Sequence, residues 1–304
     1  MEIYELQTAA EAYYVHLERK GKSLNTITSY RGSIKPFLAF AAQRGVLCFA
    51  DMTRALVEEY QDYLAINQTL LTGKSLSLRS RSCHASGIRT FFLWGAKVER
   101  CDAKLSLWLD QIKLPPLQPR PLTRKQTLKL KVYFLEEIGS PRYLRDRAMF
   151  FYFVGTAARV AEALRVPRNS WERATVIQKG GGSKTMICPA FSAEMMRTYL
   201  AVRIDLSPVL WVRRVGQTDV IPMNPASILR VWTRLARQLG IPRFVTHQLR
   251  HTAATALLAS GVDSMTVTNF MGHKSPATLR IYADVPESQR QLAAQTMSQV
   301  MAAG

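Results

Sequence analysis

The sequence has few cysteines and no long apolar run. Its four cysteines, Cys48, Cys83, Cys101 and Cys188, are scattered along 304 residues without a C-x-x-C pair. That distribution argues against a zinc ribbon or a disulfide scaffold and fits a reducing cytoplasm. The longest apolar run, residues 148–158, is too short to span a bilayer, and the first residues lack the basic and apolar regions of a signal peptide. We therefore expect a cytoplasmic protein without a membrane span.

Acidic residues are also scarce. The chain has 22 Asp and Glu against 41 Lys and Arg, a net charge of +19. Residues 1–113 contain 15 basic and 11 acidic side chains, whereas residues 114–304 contain 26 and 11. Such an excess of positive charge favours a nucleic-acid partner over a merely basic soluble protein. So few acids form no carboxylate cluster suited to Mg²⁺, and we expect neither a metal nor another cofactor.

Prolines divide the chain. Four of them fall within residues 114–122, where neither a helix nor a central strand is compatible with so many missing donors. This predicts a helical domain at residues 1–113, a linker at 114–122 and a second domain at 123–304. In the second domain, alternating residues on both sides of Gly180-Gly181-Gly182 predict a β-hairpin within 172–189, and the remainder reads as helix. The predicted fold class is mainly α with a small β-hairpin.

A basic helix is predicted over residues 76–94 of the first domain. It interleaves Arg79, Arg81 and Arg89 with Ile88, aromatic residues and other apolar side chains. The arginines could contact a phosphate backbone, or they could form the solvated face of a helix that packs on the core. Composition alone leaves both interpretations open.

The most informative segment is residues 246–285. It places His247, Arg250, His273 and Tyr282 at fixed intervals, and three of the five histidines lie within it. His247 and Arg250 share one face near the start of a helix for which Thr246 is the expected cap, and Gly261 is expected to end it. Short helices with tight turns could bring all four side chains together. Arg and His stabilise charge on a phosphodiester, and a tyrosine oxygen can attack it.

This spacing resembles the C-terminal signature of the tyrosine recombinase family, which includes phage integrases and Xer-type enzymes. The family signature is His-x-x-Arg, a later Gly-His pair, and a nucleophilic Tyr nine residues after that His. His247 and Arg250, Gly272-His273 and Tyr282 match it in order. The resemblance extends over nearly the whole chain and implies a helical core-binding domain, which tips the helix at 76–94 towards DNA contact, followed by a catalytic domain.

The resemblance also implies an earlier arginine within T-G-x-R-x-x-E. The stretch F-V-G-T-A-A-R-V-A-E supplies Arg159 and Glu162 at the right separation. We read this stretch as a departure in which Gly155-Thr156 is reversed and one extra residue precedes the arginine. Arg159 is then the first catalytic arginine and Glu162 supports the site.

A catalytic lysine is implied on a β-hairpin that reads G-K-G-x-K in the family. Here the hairpin offers Lys179 and Lys184, with a turn about two residues longer than in the family pattern. Lys179 precedes the first glycine as in the family and is the favoured residue, and Lys184 is the alternative.

The implied chemistry is DNA cleavage and rejoining through a 3′-phosphotyrosine. Tyr282 would be the nucleophile, Arg159 and Arg250 would clamp the phosphate, Lys179 would protonate the leaving oxygen, and His247 would accept the tyrosine proton. His273 would add a hydrogen bond to the phosphate.

The implied partner is double-stranded DNA with inverted-repeat core sites, bound by a homotetramer in the synaptic complex. Two alternatives stay open at this point. One is a type IB-like topoisomerase, and the other is a catalytically silent DNA-binding accessory protein.

Overall fold

The computed structural model of the chain describes residues 5–66, 75–115, 120–135, 139–177, 182–216 and 219–272. The chain divides into two compact units, Met1–Pro115 and Pro116–Gly304. The described residues are mainly helical with two small antiparallel sheets, which confirms the predicted fold class. Within them, no helix combines the length and the apolar character that a membrane crossing requires.

Four long helices make up most of what the structure describes of the first unit. They are α1 Leu6–Arg19, α2 Leu24–Ala42, α3 Arg54–Ile66 and α4 Leu78–Lys97. Ser23 caps α2 and Ser77 caps α4, because each hydroxyl accepts a hydrogen bond from the backbone three residues on. The helices bury an aromatic core in which Phe37 packs edge-on against Tyr60 and Phe92.

The described part of the second unit combines seven helices and two hairpins. The helices are α5 Arg124–Leu135, α6 Pro141–Thr156, α7 Val160–Ala163, α8 Ala190–Ala201, α9 Pro225–Leu239, α10 Thr246–Ala259 and α11 Ser264–Met271. The strands are β1 Arg173–Ile177, β2 Ser183–Ile187, β3 Val212–Arg214 and β4 Val220–Pro222. Helix α6 runs through the core and buries the run from Ala148 to Phe153. Its last residue, Thr156, contributes a carbonyl to the candidate site.

The first hairpin pairs β1 with β2 in antiparallel register from Arg173↔Ile187 to Ile177↔Ser183. Successive side chains of a strand point to opposite faces, so one face of each strand is buried. Ala174 and Val176 are buried on β1, and Lys184 and Met186 are buried on β2. The register sets Lys184 opposite Val176 and therefore turns a lysine towards the protein interior.

Helix α9 fixes the start of α10. Asn224 and Ser227 form a reciprocal cap at the first turn of α9, and Gly240 ends α9 in a left-handed conformation. The indole Nε1 of Trp232 donates to the hydroxyl of Thr246 at 2.7 Å. The expectation that Thr246 caps α10 is therefore wrong, because its hydroxyl is taken by Trp232. The cap position falls to Val245, whose N–H donates to the side chain of Gln248.

Candidate active site

Arg159 lies at the junction between α6 and the short helix α7. Its guanidinium donates to one oxygen of Glu162 at 2.6 Å, and its backbone N–H donates to the other at 2.9 Å. Glu162 is buried, whereas the Arg159 side chain is 39% exposed. Burial alone would raise the pKa of the Glu162 carboxyl, but hydrogen bonds from Arg159 and the charge of Lys184 outweigh it and lower the pKa. An ionised carboxylate thus holds the guanidinium of Arg159, which stays partly exposed to solvent.

The structure corrects the alignment of the residues before Arg159. Ala157 has φ +49°, the left-handed conformation that normally selects glycine. The chain thus places Thr156, Ala157, Ala158 and Arg159 along the motif T-G-x-R, with alanine in the glycine position and no inserted residue. Gly155 has a separate reason to be glycine, because a Cβ there would lie 2.4 Å from the Ser192 hydroxyl. Gly155 and Thr156 therefore only look reversed relative to the motif. Gly155 is required by packing against Ser192, and Ala157 occupies the position of the motif glycine.

Arg250 joins three segments of the site. Its side chain is almost completely buried, and its two terminal nitrogens donate to the carbonyls of Ala157 and Met271, each at 2.6 Å. Helix α10 is thereby connected to the segment before Arg159 and to the end of α11. Gly272 caps α11 in a left-handed conformation, and its carbonyl accepts from Arg159 at 3.5 Å. His273 and Tyr282 follow and lie outside the described residues.

His247 lies in the first turn of α10, on the side of the helix that carries Arg250. Partial desolvation lowers the pKa of its imidazole, and the positive charges of Arg250 and Arg159 lower it further. A ring that is neutral at neutral pH can accept a proton. The ring of His251 packs edge-on against it with centroids 4.2 Å apart. Burial, followed by the charges of His247 and Arg250, lowers the pKa of His251 to about 4.

Lys184 reaches the same place from β2. Its Nζ donates to the carbonyl of Thr156 at 3.3 Å and lies 5.7 Å from the centre of the Phe270 ring. Burial lowers the pKa of the ammonium to about 8, although the carboxylate of Glu162 opposes the shift. Lys179 lies outside the described residues. Of the two hairpin lysines, the structure therefore shows the position of one, and that one is in contact with the site.

The described part of the site is a cationic cluster around one carboxylate. Arg159 and Lys184 interact directly with the Glu162 carboxylate, and Arg250 and His247 lie close enough to these groups to interact electrostatically with them. Such a surplus of donors stabilises an anion with dispersed negative charge, as on the oxygens of a phosphate undergoing substitution. Among the described residues, no three His, Cys, Asp or Glu side chains are grouped as a metal ion would require.

The three arginines predicted to contact DNA lie elsewhere, on α4 in the first unit. Arg89 donates to the carbonyls of Ser106 and Leu109, so its guanidinium binds the backbone of its own unit. Arg81 is half-buried, and only Arg79 is exposed. A role for these residues in DNA contact stays a prediction, and the geometry favours Arg79.

Both units of the chain match known protein families. Residues 121–289 match the phage integrase family, and residues 10–102 match the SAM-like N-terminal domain of phage integrases. The chain therefore belongs to the phage integrase family. It is a tyrosine recombinase, a class of DNA strand-transferring enzyme.

Relatives cover most of the chain. Tyrosine recombinase XerC of Rhodospirillum centenum is 31% identical over 88% of this chain and 79% of its own length. Tyrosine recombinase XerA of Pyrococcus furiosus is 29% identical over 90% and 88% of the two chains.

Two solved structures have the same fold. One is a lambda integrase fragment bound as a dimer to a COC′ core site, with a TM-score of 0.69 at 16% identity, covering 93% of this chain and 96% of that one. The other is the XerH site-specific recombinase bound to its difH substrate, with a TM-score of 0.64 at 18% identity, covering 91% and 84%.

Proposed function

We propose that this protein is a site-specific DNA recombinase that cleaves and rejoins duplex DNA through a 3′-phosphotyrosine intermediate. The observation that carries the proposal is the convergence of Arg159, Arg250 and Lys184 on one point of the second unit. Backbone carbonyls of the α6–α7 junction bind two of these residues, and Glu162 binds the third. The related XerH and lambda integrase structures contain DNA, which supports the same partner here.

The proposed reaction is an exchange of phosphate esters. The phenol oxygen of Tyr282 attacks the scissile phosphorus while His247 takes its proton, and the bond to the 5′-oxygen breaks. A protonated lysine gives its proton to that leaving oxygen. Arg159 and Arg250 stabilise the non-bridging oxygens, and His273 adds a hydrogen bond. Attack by the 5′-hydroxyl of the partner strand reverses the step, so the energy of the ester bond is conserved.

We assign the proton donor to Lys184 in preference to Lys179. Lys184 is buried against the carbonyl of Thr156, three residues before Arg159, and its pKa of about 8 suits proton transfer near neutral pH. Burial excludes water from the ammonium and makes its proton easier to release. Lys179 remains the competing residue, and substitution of each lysine distinguishes them.

The proposed assembly is a homotetramer that holds two DNA sites with inverted-repeat core sequences. The sequence after Tyr282 predicts a terminal helix near residues 286–304, with an apolar stripe of Leu292, Met297, Val300 and Met301. We propose that this stripe docks on a neighbouring subunit, so that the protein is mostly monomeric when free and tetrameric on paired sites. This segment lies outside the described residues.

The biological outcome is integration, transposition or resolution of a mobile element or replicon, since all of them use the same active-site residues. A Tn1549 transposon integrase bound to circular intermediate DNA shares the fold, with a TM-score of 0.65 at 16% identity. The proposal places the protein in the cytoplasm, with access to chromosomal DNA. Nothing in the site favours the topoisomerase or the silent accessory protein.

A nicked suicide substrate tests the proposal. Once a cleavage site has been mapped in the DNA that flanks the gene, a nick close to the scissile phosphate lets the short product diffuse away and traps the covalent complex. We expect the wild type to give a protein–DNA band that resists denaturant, and Tyr282→Phe to give none while it still binds the duplex, because a single oxygen contributes little to binding that rests on many phosphate contacts.

Tyr199→Phe is the matched control. The Tyr199 hydroxyl is buried and donates to the carbonyl of Leu210, and burial raises its pKa, so it is a poor nucleophile. This variant should form the covalent complex. A covalent band from Tyr282→Phe would move the nucleophile to another residue, and a wild type that binds the mapped DNA but never becomes attached would indicate the silent accessory protein.

A further inference from the structure

A cavity of about 220 Å³ lies within the first unit. Its walls are the second half of α3, the first three turns of α4 and residues 109–112. The buried side chains of Leu64, Ala85, Ile88 and Leu109 give it an apolar interior. Pockets for drug-sized ligands have volumes of about 300–1,000 Å³, so this cavity has room for a smaller molecule.

Side-chain contacts hold the three walls of the cavity together. The backbone N–H of Asp110 donates to Oε1 of Gln61 on α3 at 3.2 Å. The guanidinium of Arg89 on α4 donates to the carbonyl of Ser106 at 3.2 Å and to the carbonyl of Leu109. These bonds fix residues 106–110 against both helices. The cavity is therefore preformed, and a ligand that enters it has little protein structure to order.

Two polar groups of the lining have no partner. Tyr60 is completely buried, and edge-on contacts with Phe37 and Phe40, at 5.0 and 5.1 Å between ring centroids, fix its ring. The hydroxyl of Tyr60 and the Nε of Arg81 are both buried, and neither has a hydrogen-bond partner among the described residues. Burial raises the pKa of Tyr60, so its hydroxyl keeps the proton that it can donate. Because buried polar groups are nearly always hydrogen-bonded, these two donors indicate a bound acceptor.

The cavity also contains groups of the opposite charge. The carboxylates of Asp62 and Asp110 belong to its lining, and both residues are exposed, which places them at its open side. An anion next to Arg81 and Tyr60 would satisfy the two unpartnered donors. An ammonium group next to the acids would be attracted to their negative charge. Apolar walls between these groups favour an aliphatic body, so the complementary molecule is a small zwitterion with an aliphatic side chain.

We propose that this cavity binds a free α-amino acid with an aliphatic side chain. The carboxylate of the ligand accepts hydrogen bonds from Arg81 and Tyr60, and its ammonium group faces Asp62 and Asp110. Its side chain packs against the apolar walls. A metal ion would meet a guanidinium and a neutral phenol, which disfavour it, and a phosphate of duplex DNA cannot reach a completely buried hydroxyl. The inference does not depend on the proposed function.

Titration calorimetry and thermal unfolding of the full chain test the proposal, with L-leucine, L-valine and L-methionine as probes. At least one of them should bind and raise the unfolding temperature, because a ligand that binds only the folded state stabilises it. Each amino acid is compared with the two compounds that lack its ammonium or its carboxylate, which for leucine are 4-methylpentanoate and 3-methylbutylamine. Both should bind at least about tenfold more weakly than the amino acid, since each loses a charged contact.

Variants of the two donors locate the site. Tyr60→Phe and Arg81→Met should each weaken binding by about 10- to 100-fold. Tyr63→Phe and Arg79→Met are the matched controls, because these residues lie on the same two helices outside the lining of the cavity, and they should keep the wild-type affinity. Without ligand, Tyr60→Phe should unfold at the wild-type temperature or above it, since the hydroxyl has no hydrogen bond to lose.

Four results would overturn the inference. The first is that none of the three amino acids binds, which would mean that the cavity holds water only. The second is that a compound without the ammonium or without the carboxylate binds as tightly as the amino acid. The third is an unchanged affinity in both Tyr60→Phe and Arg81→Met. The fourth is a lower unfolding temperature of ligand-free Tyr60→Phe, which would give the hydroxyl a role in the fold instead.

Discussion

Replacement of Lys184 by methionine removes the ammonium group while it retains an unbranched side chain in the interior. If Lys184 gives a proton to the leaving 5′-oxygen, the cleavage rate should fall by roughly 10²- to 10⁴-fold, the usual contribution of general acid catalysis. A substrate with a 5′-thiol leaving group should restore the rate, since a thiolate leaves without protonation. Lys179→Met is the matched control on the same hairpin and should cleave at nearly the wild-type rate.

The pKa of about 8 adds a pH signature to this prediction. The acid must be protonated, so the wild-type rate should be constant below pH 8 and then fall by about tenfold for each pH unit above it. The lowered pKa of His247 leaves its ring unprotonated, and able to act as a base, down to more acidic pH than an ordinary histidine. The thiol substrate should abolish the decline on the alkaline side.

The same shift predicts a change in stability. Burial lowers the pKa of Lys184 from 10.5 to about 8. The protonated lysine therefore destabilises the folded state at every pH at which it carries its charge. At 1.36 kcal/mol per unit, that cost is of the order of 3 kcal/mol at pH 7 and disappears as the pH rises from about 8 to 10.5. Lys184→Met should therefore unfold at higher urea concentration than the wild type at pH 7, and the difference should shrink by pH 10.

Single-turnover cleavage of the nicked substrate across pH 6.5–9.5, with oxygen and sulfur leaving groups, checks the catalytic part. The assignment of Lys184 as the proton donor would be refuted if Lys179→Met cleaved slowly and the 5′-thiol substrate restored its rate, while Lys184→Met cleaved at the wild-type rate. A stability difference that does not change with pH would contradict the lowered pKa.

Two further predictions follow from the site and the assembly. Arg250→Ala should lower the free energy of unfolding by about 3 kcal/mol, because the carbonyls of Ala157 and Met271 lose charged donors; Arg197→Ala, which removes only an exposed ion pair with Glu172, should lower it much less, and urea denaturation of both variants would show the difference. Equal losses of stability would contradict the structural role of Arg250. Truncation after Val285 should retain binding to one half-site but lose synapsis and recombination in gel-shift and strand-exchange assays; a truncated protein that recombines at the normal rate would exclude the docking of residues 286–304.

Much of this architecture could be predicted from local patterns. The sequence predicted a helical first domain, in which α3 buries Leu56, Val57, Tyr60 and Leu64, and alternation around the glycines indicated the first hairpin. These patterns are readable because a helix face or a strand face must bury its apolar side chains whatever the rest of the chain does. The spacing of His247 and Arg250 placed them on one side of α10 for the same reason.

Two different patterns point to the two hairpin lysines, and Lys179 stays a prediction because it lies outside the described residues. Lys179 was favoured because of its place before the first glycine, which is a matter of position in a motif. Period-2 alternation would have pointed elsewhere, since Lys184 and Met186 lie on the same face of β2 as the buried positions opposite them. The strand pattern therefore supports Lys184, as does the contact of its Nζ with the carbonyl of Thr156.

Other features could not be read from residue types. Arg89 looks like any basic residue of a DNA-binding helix, yet its partners are carbonyls 17 and 20 residues further along the chain. Such contacts depend on tertiary packing, which the local sequence does not encode.

The left-handed turn at Ala157 limits how this protein can vary. A residue there must tolerate positive φ and must fit among Ala253, Ala254 and Met271, where its side chain is fully buried. Glycine adopts the positive φ without strain. Alanine adopts it at a small conformational cost and also fits the buried space, whereas a branched or larger side chain meets neither requirement. Two positions earlier, Gly155 admits no side chain at all because α8 packs against it. Both positions therefore accept very few residue types, because a larger side chain at either one would displace the turn that presents Arg159.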